Sequence, residues 1–231
     1  MQQKQYNALF FDVDGTLLDF DAAEREALGL LLRDRGIEIR EEYIQCYHHI
    51  NASMWKMLER GEITREKLQS ERFVQFFDAV GLKEKADGEE NRIYRNYLSQ
   101  AAIPIAGAQA VLQELGSRYP LYVVSNGNTQ VQYGRLGICG FQKYFRQIFL
   151  SEEIGYTKPD KRFFEECLRQ LPDMKREEIL LIGDSLSSDM AGGRNAGIDT
   201  CWYNPTGILR DETIPVTYEI QDLRELCALL E

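Results

Sequence analysis

The stretch Ala8-Leu9-Phe10-Phe11-Asp12-Val13-Asp14-Gly15-Thr16 ends a short apolar run on two carboxylates. A second apolar run, Ile179-Leu180-Leu181-Ile182, ends in the same way on Gly183-Asp184-Ser185-Leu186-Ser187-Ser188-Asp189. Short apolar runs with β-branched or aromatic residues that stop at Asp and Gly are typical of strands buried in a parallel sheet. Ligands of such sheets gather at the carboxyl ends of the strands. If the two strands are neighbours, Asp12, Asp14 and Asp184 converge on one point, and this arrangement predicts a divalent cation.

Converging carboxylates repel one another, which argues against a purely structural role. At an effective dielectric constant of about 20, two unit charges ~4 Å apart interact by about 4 kcal/mol. Hard oxygen ligands at a phosphate-handling site favour Mg²⁺. Either stretch alone also fits an ordinary turn or helix N-terminus, because Asp and Gly are common after strands. The prediction of a magnesium site therefore depends on the two stretches together.

The distribution of helix and strand patterns predicts the fold class. From residue 21 through 102 the sequence has the spacing of about four helices and almost no strand signal. From Pro104 onward, strand and helix patterns alternate, as in the right-handed βαβ units of a parallel sheet. The sequence thus predicts an α/β protein. Its Rossmann-like, doubly wound parallel sheet core consists of residues 1–16 and 103–231, and an α-helical domain is inserted at residues 17–102.

Individual elements of the core are also predicted from these patterns. The expected strands after the insert are residues 121–124, 148–150, 179–182 and 200–203. Helices are expected at residues 108–117, from 129 onward, at 161–171 and at 189–196. The last stretch, residues 220–230, predicts a closing helix.

Composition excludes several classes of function. The chain has 231 residues, enough to bury a large core, and its formal net charge of −10 argues against a nucleic-acid polymer as partner, since such binding draws on clustered Lys and Arg. Small anionic substrates remain compatible through local positive charge. Five widely spaced cysteines without a C-x-x-C pair favour reduced thiols and a cytoplasmic protein. No apolar stretch approaches the ~20 residues that span a bilayer, and residues 1–7 lack a secretory apolar region, so we expect no membrane association.

Two further polar groups complete a predicted phosphoryl-transfer site. Ser125-Asn126-Gly127 follows a predicted strand, and Lys158-Pro159 precedes a predicted helix. The Ser125 hydroxyl and backbone N–H groups near Asn126 can hold phosphate oxygens, while Lys158 supplies positive charge against a substrate dianion. Taken singly, the first group is a common turn, Lys158 a solvated side chain and Asp189 a helix N-terminal acid. Their occurrence together, in this order, favours the functional interpretation.

The paired carboxylates Asp12 and Asp14 suit hydrolysis in two steps. An aspartate can attack phosphorus and form an aspartyl-phosphate, which divides a difficult hydrolysis into two easier reactions. A second acid two residues further on can protonate the leaving oxygen and later activate water. Positions i and i+2 point to the same side if the strand persists through Asp14.

In these four motifs the chain resembles the haloacid dehalogenase superfamily, and the resemblance covers essentially the whole chain. It implies that Asp12 is the nucleophile and that Asp14 is the general acid and base, both also contributing to the magnesium site, Asp14 through its backbone carbonyl. It implies that the helical insert is a mobile C1 cap that closes over the site and excludes water other than the attacking one. An acid at position 14 favours a phosphatase or a phosphomutase over the dehalogenase branch, which has no leaving oxygen to protonate.

The same resemblance implies roles for the remaining motif residues. Ser125 binds the phosphoryl group, and Lys158 neutralises it. Asp184 ligates the metal, and Asp189 supports the metal site without binding the ion directly.

Further strings are similar to the bacterial pyrimidine 5′-nucleotidase branch of that superfamily, the YjjG-like group. They include Ile50-Asn51-x-x-x-Trp55, Gly61-Glu62-Ile63, Arg72-Phe73, Ser125-Asn126-Gly127-Asn128-Thr129, Ser151-Glu152 and the run from Gly192 to Pro205. The likeness implies a Mg²⁺-dependent phosphomonoesterase acting on nucleoside monophosphates, mainly pyrimidine ones. A small sugar-phosphate or phosphoglycolate phosphatase is the nearest alternative. A catalytically weak nucleotide- or phosphate-binding protein is the alternative from another class, and the sequence leaves monomer and homodimer open.

Overall fold

Six strands form one parallel sheet in the computed structural model, which describes residues 4–209 and 213–231. The strands are β1 (Ala8–Phe11), β2 (Leu121–Ser125), β3 (Phe145–Leu150), β4 (Ile179–Gly183), β5 (Asp199–Tyr203) and β6 (Tyr218–Ile220). Their order across the sheet is β3-β2-β1-β4-β5-β6, and every neighbouring pair is parallel. The two strands that carry the acidic motifs, β1 and β4, are therefore neighbours, as predicted.

The chain folds into two compact units, one made of Met1–Asp19 with Pro104–Glu231 and the other of Phe20–Ile103. The second unit is helical and contains α1 (Phe20–Asp34), α2 (Glu41–Glu59), α3 (Arg65–Ala79) and α4 (Glu90–Leu98). The first unit holds the sheet together with α5 (Ala108–Gly116), α6 (Thr129–Ile138), α7 (Ser151–Ile154), α8 (Lys161–Arg169), α9 (Ala191–Ala196) and α10 (Glu225–Leu229). The assignment of residues 17–102 as a cap domain stays a prediction.

The sheet of the first unit is buried on both faces, because side chains alternate along each strand. On one face Leu9 and Phe11 of β1 pack in a cluster that includes Leu112 of α5 and Leu226 of α10. On the other face Phe10 packs in a cluster that includes residues of α8 and α9. Helices on both faces of a parallel sheet confirm the predicted doubly wound α/β core.

The prediction of one closing helix over residues 220–230 is wrong in part. Tyr218–Ile220 forms β6, in which Ile220 is paired with Tyr203 of β5, and the helix that follows is only Glu225–Leu229. The Asp222 carboxylate accepts a hydrogen bond from the Arg224 backbone N–H, and the Glu225 carboxylate accepts those of residues 221 and 222. Side chains that satisfy these amides outside the helix favour a turn, so the helix begins late.

The helical unit has an aromatic and a polar part in its interior. Tyr47 stacks on Phe73 with ring centroids 4.9 Å apart, and Tyr94 packs against both rings. Arg72 is buried, donates to Asn51 Oδ1 at 3.1 Å, and its guanidinium lies 4.9 Å from the centre of the Tyr94 ring.

No helix within the described ranges combines the length and the apolar character that crossing a membrane requires.

Candidate active site

Asp12 and Asp184 meet at the carboxyl edge of the sheet because β1 and β4 are in register. Phe11 is paired with Ile182, and the backbone N–H of Asp12 donates to the Ile182 carbonyl at 2.9 Å. The structure brings Asp12, Asp184 and Asp189 together, with one carboxylate oxygen of each lying within 4.8 Å of the others. The meeting of Asp12 and Asp184, about 170 positions apart in the chain, agrees with the sequence prediction. The predicted convergence of the Asp14 carboxylate on the same point is wrong, because β1 ends at Phe11 and the third member of the cluster is Asp189.

Lys158 lies in the loop before α8, and its ammonium group binds two members of this cluster. Its Nζ donates to Asp12 Oδ1 at 2.7 Å, to Asp189 Oδ1 at 2.6 Å and to the Val124 carbonyl at 2.7 Å. The side chain is only 1% exposed, so all three ammonium donors are used within the protein. Lys158 is therefore a fixed positive charge beside Asp12. The alternative interpretation of the sequence, a solvated lysine side chain, is wrong.

Asn126 holds the backbone of Lys158 in place through its side-chain amide. Its Oδ1 accepts from the Lys158 N–H at 2.9 Å, and its Nδ2 donates to the Lys158 carbonyl at 2.9 Å and to Ser188 Oγ at 3.2 Å. Phosphate binding by Asn126 stays a prediction, and the structure shows that its side-chain amide is bound to the Lys158 backbone and to Ser188. Asn126 thereby connects the end of β2 to the loop that carries Lys158.

Ser125 is the last residue of β2 and is buried. Its hydroxyl oxygen accepts hydrogen bonds from the Gly127 backbone N–H at 3.0 Å and from Gln132 Nε2 at 3.2 Å. A hydroxyl group has one proton and two lone pairs, so these two accepted bonds leave the proton of Ser125 as the group that can donate.

Asp184 is fixed by the turn that follows β1. Thr16 Oγ1 donates to Asp184 Oδ1 at 3.2 Å, and the Trp202 indole N–H donates to the Asp184 backbone carbonyl at 2.8 Å. Gly15 has φ of 79°, and a Cβ at this position would overlap the Asp184 carboxylate. Glycine is thus required here both for the backbone conformation and for the close approach.

Asp189 lies on a single π-helical turn, Leu186–Met190, directly after β4. One carboxylate oxygen binds Lys158, and the other accepts from the Ser185 backbone N–H at 3.1 Å. With both oxygens engaged and only 1% of the side chain exposed, Asp189 is suited to orient Lys158 and the loop around it.

The carboxylate of Asp14 lies apart from the acidic cluster and contacts helix α6. Gln132 Nε2 donates to Asp14 Oδ2 at 2.5 Å, and the Arg135 guanidinium donates to Asp14 Oδ1. Sequence reasoning missed both Gln132 and Arg135. The available signal was their spacing of three positions, which places two polar side chains on one side of α6 between the buried Val131 and Leu136.

The electrostatics of the cluster are dominated by burial. Burial raises the pKa of Asp12 well above its usual range, Lys158 opposes this rise, and Asp189 adds to it. Burial also raises the pKa of Asp184 to about 7, and the charge of Asp189 adds to that increase. Burial lowers the pKa of Lys158, but the charges of Asp12 and Asp189 outweigh it and raise the pKa above the usual value.

The donor set fits a magnesium ion. When Asp12, Asp184 and Asp189 are all ionised, the single ammonium of Lys158 leaves two negative charges, which is the charge that one Mg²⁺ carries. Carboxylate oxygens are the ligands that this ion prefers. A bound cation also favours the ionised form of each carboxylate and so opposes the rise in pKa that burial causes.

Comparison with known proteins identifies the family to which the chain belongs. The family model described as haloacid dehalogenase-like hydrolase matches residues 9–203, which is most of the chain. The chain belongs to this family. It is similar to the pyrimidine 5′-nucleotidase PynA of Streptococcus pneumoniae, with 40% identity over 227 residues that cover 98% of this chain and 95% of PynA. It is also 31% identical to the pyrimidine 5′-nucleotidase YjjG of Escherichia coli, with 98% of both chains covered.

A solved structure of another haloacid dehalogenase-like hydrolase resembles the whole chain. It is the putative HAD-hydrolase YfnB of Bacillus subtilis, with a TM-score of 0.93, 39% identity, and coverage of 99% of this chain and 100% of that one. The B. subtilis protein was crystallised bound to magnesium. In the present haloacid dehalogenase-like hydrolase, the carboxylates of Asp12, Asp184 and Asp189 are compatible with an ion of this kind.

Proposed function

We propose that this hydrolase is a Mg²⁺-dependent phosphomonoesterase that acts through a phosphorylated Asp12 and that its substrates are pyrimidine nucleoside 5′-monophosphates. One observation carries the catalytic part of the proposal. Asp12, Asp184 and Asp189 present oxygens within 4.8 Å of one another, and Lys158 Nζ lies 2.7 Å from Asp12 Oδ1. This is a buried nucleophile with a fixed counter-charge at the carboxyl edge of a parallel sheet.

In the first step the Asp12 carboxylate attacks phosphorus, and the bond between phosphorus and the ester oxygen breaks. The hydrogen bond from Lys158 to one oxygen of Asp12 holds the carboxylate in orientation and opposes the rise in its pKa that burial causes, which favours the ionised form that attacks. Asp14, as a carboxylic acid, gives its proton to the departing nucleoside oxygen. The products of this step are the nucleoside and an aspartyl-phosphate.

In the second step Asp14 works in the reverse direction. Its carboxylate takes a proton from a water molecule, the water oxygen attacks phosphorus, and Asp12 leaves as a free carboxylate. Inorganic phosphate is released, and Asp14 is again a carboxylic acid, so both aspartates return to their starting form.

Phosphate binding is proposed for Ser125, the backbone near Asn126, and Lys158. The Ser125 hydroxyl has its proton available for a phosphate oxygen because its lone pairs accept from Gly127 and Gln132. Lys158 supplies the fixed positive charge of the site.

Asp12 and Asp184, with the backbone carbonyl of Asp14, are the proposed ligands of Mg²⁺, and Asp189 supports them through Lys158. A bound Mg²⁺ would supply positive charge that balances the carboxylates and the phosphoryl oxygens. The acidic cluster and the family of the chain support this assignment.

The substrate class is supported by the relatives PynA and YjjG, both named pyrimidine 5′-nucleotidases, which align over nearly the whole chain. The test measures phosphate release from UMP, dUMP and dTMP beside AMP, phosphoglycolate and p-nitrophenyl phosphate, each with Mg²⁺ and with EDTA. We expect Mg²⁺-dependent release that is fastest with the pyrimidine nucleotides.

Two variants show whether the activity belongs to the proposed site. Asp12→Asn removes the nucleophile and is expected to abolish phosphate release from every substrate. Asp173→Asn makes the same substitution at an exposed aspartate and is expected to leave phosphate release unchanged. Hydrolysis of phosphoglycolate alone would favour the sugar-phosphate type of phosphatase, and tight binding of UMP without hydrolysis would favour a binding protein.

A further inference from the structure

The two side chains that bind Asp14 are fully buried within the first unit. Gln132 and Arg135 each expose 0% of their surface, although one is an amide and the other a guanidinium. Arg135 binds one oxygen of Asp14 and Gln132 binds the other. A second guanidinium nitrogen of Arg135 lies 3.4 Å from the backbone carbonyl of Asp19. Both oxygens of one partly exposed carboxylate are thus held by buried donors from a single helix.

Helix α6 is built to present these two donors. Asn128 caps its N-terminus by accepting a hydrogen bond from the Val131 N–H, which fixes where the helix begins. Gln132 and Arg135 are three positions apart and therefore lie on the same side of the helix. A Cβ at position 127 would overlap the Gln132 amide, so Gly127 leaves the space that this amide occupies.

The amide of Gln132 joins two groups of the proposed reaction. Its Nε2 donates to Asp14 Oδ2 at 2.5 Å and to Ser125 Oγ at 3.2 Å. Its Oε1 is buried and has no hydrogen-bond partner within residues 4–209 and 213–231. A buried acceptor without a partner destabilises the fold, so packing alone does not account for this side chain.

We propose that Gln132 and Arg135 are positioning residues that hold the Asp14 carboxyl group in the orientation needed for proton transfer. This inference rests on the proposed function, in which Asp14 exchanges protons with the leaving oxygen and with water. Neither residue is assigned a contact with the substrate. They act through Asp14, and Gln132 keeps Asp14 and Ser125 in a fixed relation to one another.

A purely structural role predicts a different outcome, because the same contacts also fasten the turn after β1. Loss of a structural contact lowers the amount of folded enzyme and affects all substrates alike. Loss of a positioning contact instead lowers kcat in folded enzyme and leaves KM little changed. This effect on kcat disappears once Asp14 itself is replaced.

The experiment is a double-mutant cycle of Arg135→Met and Asp14→Asn, with steady-state kinetics on UMP and folding checked by circular dichroism. We expect Arg135→Met to lower kcat by a factor of about 10 to 100 with KM changed less than about threefold. Arg135→Lys should recover part of the loss, because it keeps a positive donor. In the Asp14→Asn background, Arg135→Met should have no further effect.

A second variant and two controls keep the test decisive if Arg135→Met does not fold. Gln132→Met keeps the side-chain volume and removes the donor, and we expect it to lower kcat in the same way. Gln130→Met, on the exposed side of α6, and Arg146→Met, at an exposed position of β3, should leave kcat unchanged.

Substrates whose leaving groups differ in their need for a proton show whether Arg135 acts through proton donation by Asp14. p-Nitrophenolate departs without a proton, so the rapid first release of nitrophenol should survive in Arg135→Met while UMP turnover falls. Unchanged kcat in both variants, or losses that multiply with that of Asp14→Asn, would overturn the inference. If the unmodified enzyme hydrolyses no phosphate ester, the proposed function fails instead, and the two outcomes are distinguishable.

Discussion

Replacement of Lys158 by methionine tests whether this ammonium group is the counter-charge of the acidic cluster. The variant keeps a side chain of similar length but removes the donor to Asp12, Asp189 and the Val124 carbonyl. Breaking a buried ion pair by removing one partner costs about 3–5 kcal/mol, because the other charge remains buried without compensation. For a protein of this size each kcal/mol lowers Tm by about 2–4 °C, so the expected loss is about 6–20 °C at pH 7 in EDTA.

The pH dependence of this loss follows from the raised pKa values of the carboxyl groups. Burial raises the pKa of Asp12 and raises that of Asp184 to about 7. A group whose pKa is higher in the folded state binds protons more strongly there, so its contribution to stability is lost as pH rises through the folded pKa. We therefore expect the deficit of Lys158→Met to be smaller at pH 5 than at pH 8, and Mg²⁺ to restore part of the stability at pH 8.

The assay follows fluorescence of one tryptophan during thermal unfolding. The chain has two tryptophans, and Trp55→Phe leaves Trp202, whose indole donates to the Asp184 carbonyl, as the reporter of the first unit. Lys161→Met is the matched control, because Lys161 is 62% exposed and its ion pair contributes at most about 1 kcal/mol. Equal Tm values for the Lys158 and Lys161 variants at both pH values would refute the reasoning.

Three further changes test other parts of the structure. Gly15→Ala forces a Cβ onto the Asp184 carboxylate in a left-handed conformation, so we expect a loss of about 1–2 kcal/mol from the backbone alone and at least tenfold weaker Mg²⁺ binding by calorimetry. Arg72→Met removes a buried guanidinium from the helical unit and should lower the stability of that unit by about 3 kcal/mol, measured by urea unfolding in a Trp202→Phe background that leaves Trp55 as the reporter. No change would show that the buried polar contacts contribute nothing. The hydrogen bond to Glu24 raises the pKa of His48, so protonated His48 stabilises at low pH and this contribution is lost as pH rises through the raised pKa. His48→Gln should therefore cost up to about 1 kcal/mol at pH 5.5 and almost nothing at pH 9 in the same urea assay, and an equal cost at both would contradict the ion pair.

The sheet and the acidic cluster could be predicted because their signals lie in single residues and short runs. Buried parallel strands have continuous apolar sequences, and both acidic motifs come directly after such strands. The neighbouring positions of β1 and β4 then follow from the topology that alternating strands and helices adopt. The C-terminal stretch was misassigned because the apolar Ile220 fits a short strand as well as a helix.

The surroundings of Asp14 could not be predicted in the same way. Gln132 and Arg135 are polar residues on an amphipathic helix, where polar side chains most often face solvent. Their burial depends on the turn after β1 that brings Asp14 to α6, which is a contact over more than 100 positions of the chain. Asn126 is a similar case, since its amide binds the Lys158 backbone across 32 positions.

The most direct test of the account is the location of the covalent phosphate. Asp14→Asn lacks the base of the second step, and p-nitrophenyl phosphate needs no acid in the first step, so the intermediate should accumulate with this substrate. The variant is mixed with p-nitrophenyl phosphate and Mg²⁺, quenched in acid, reduced with borohydride and digested for mass spectrometry. The account predicts that reduction marks the side chain of residue 12 and that Asp12→Asn abolishes the mark. A mark on another carboxylate, or phosphate release by the unmodified enzyme with no protein-bound phosphate at any time, would contradict it.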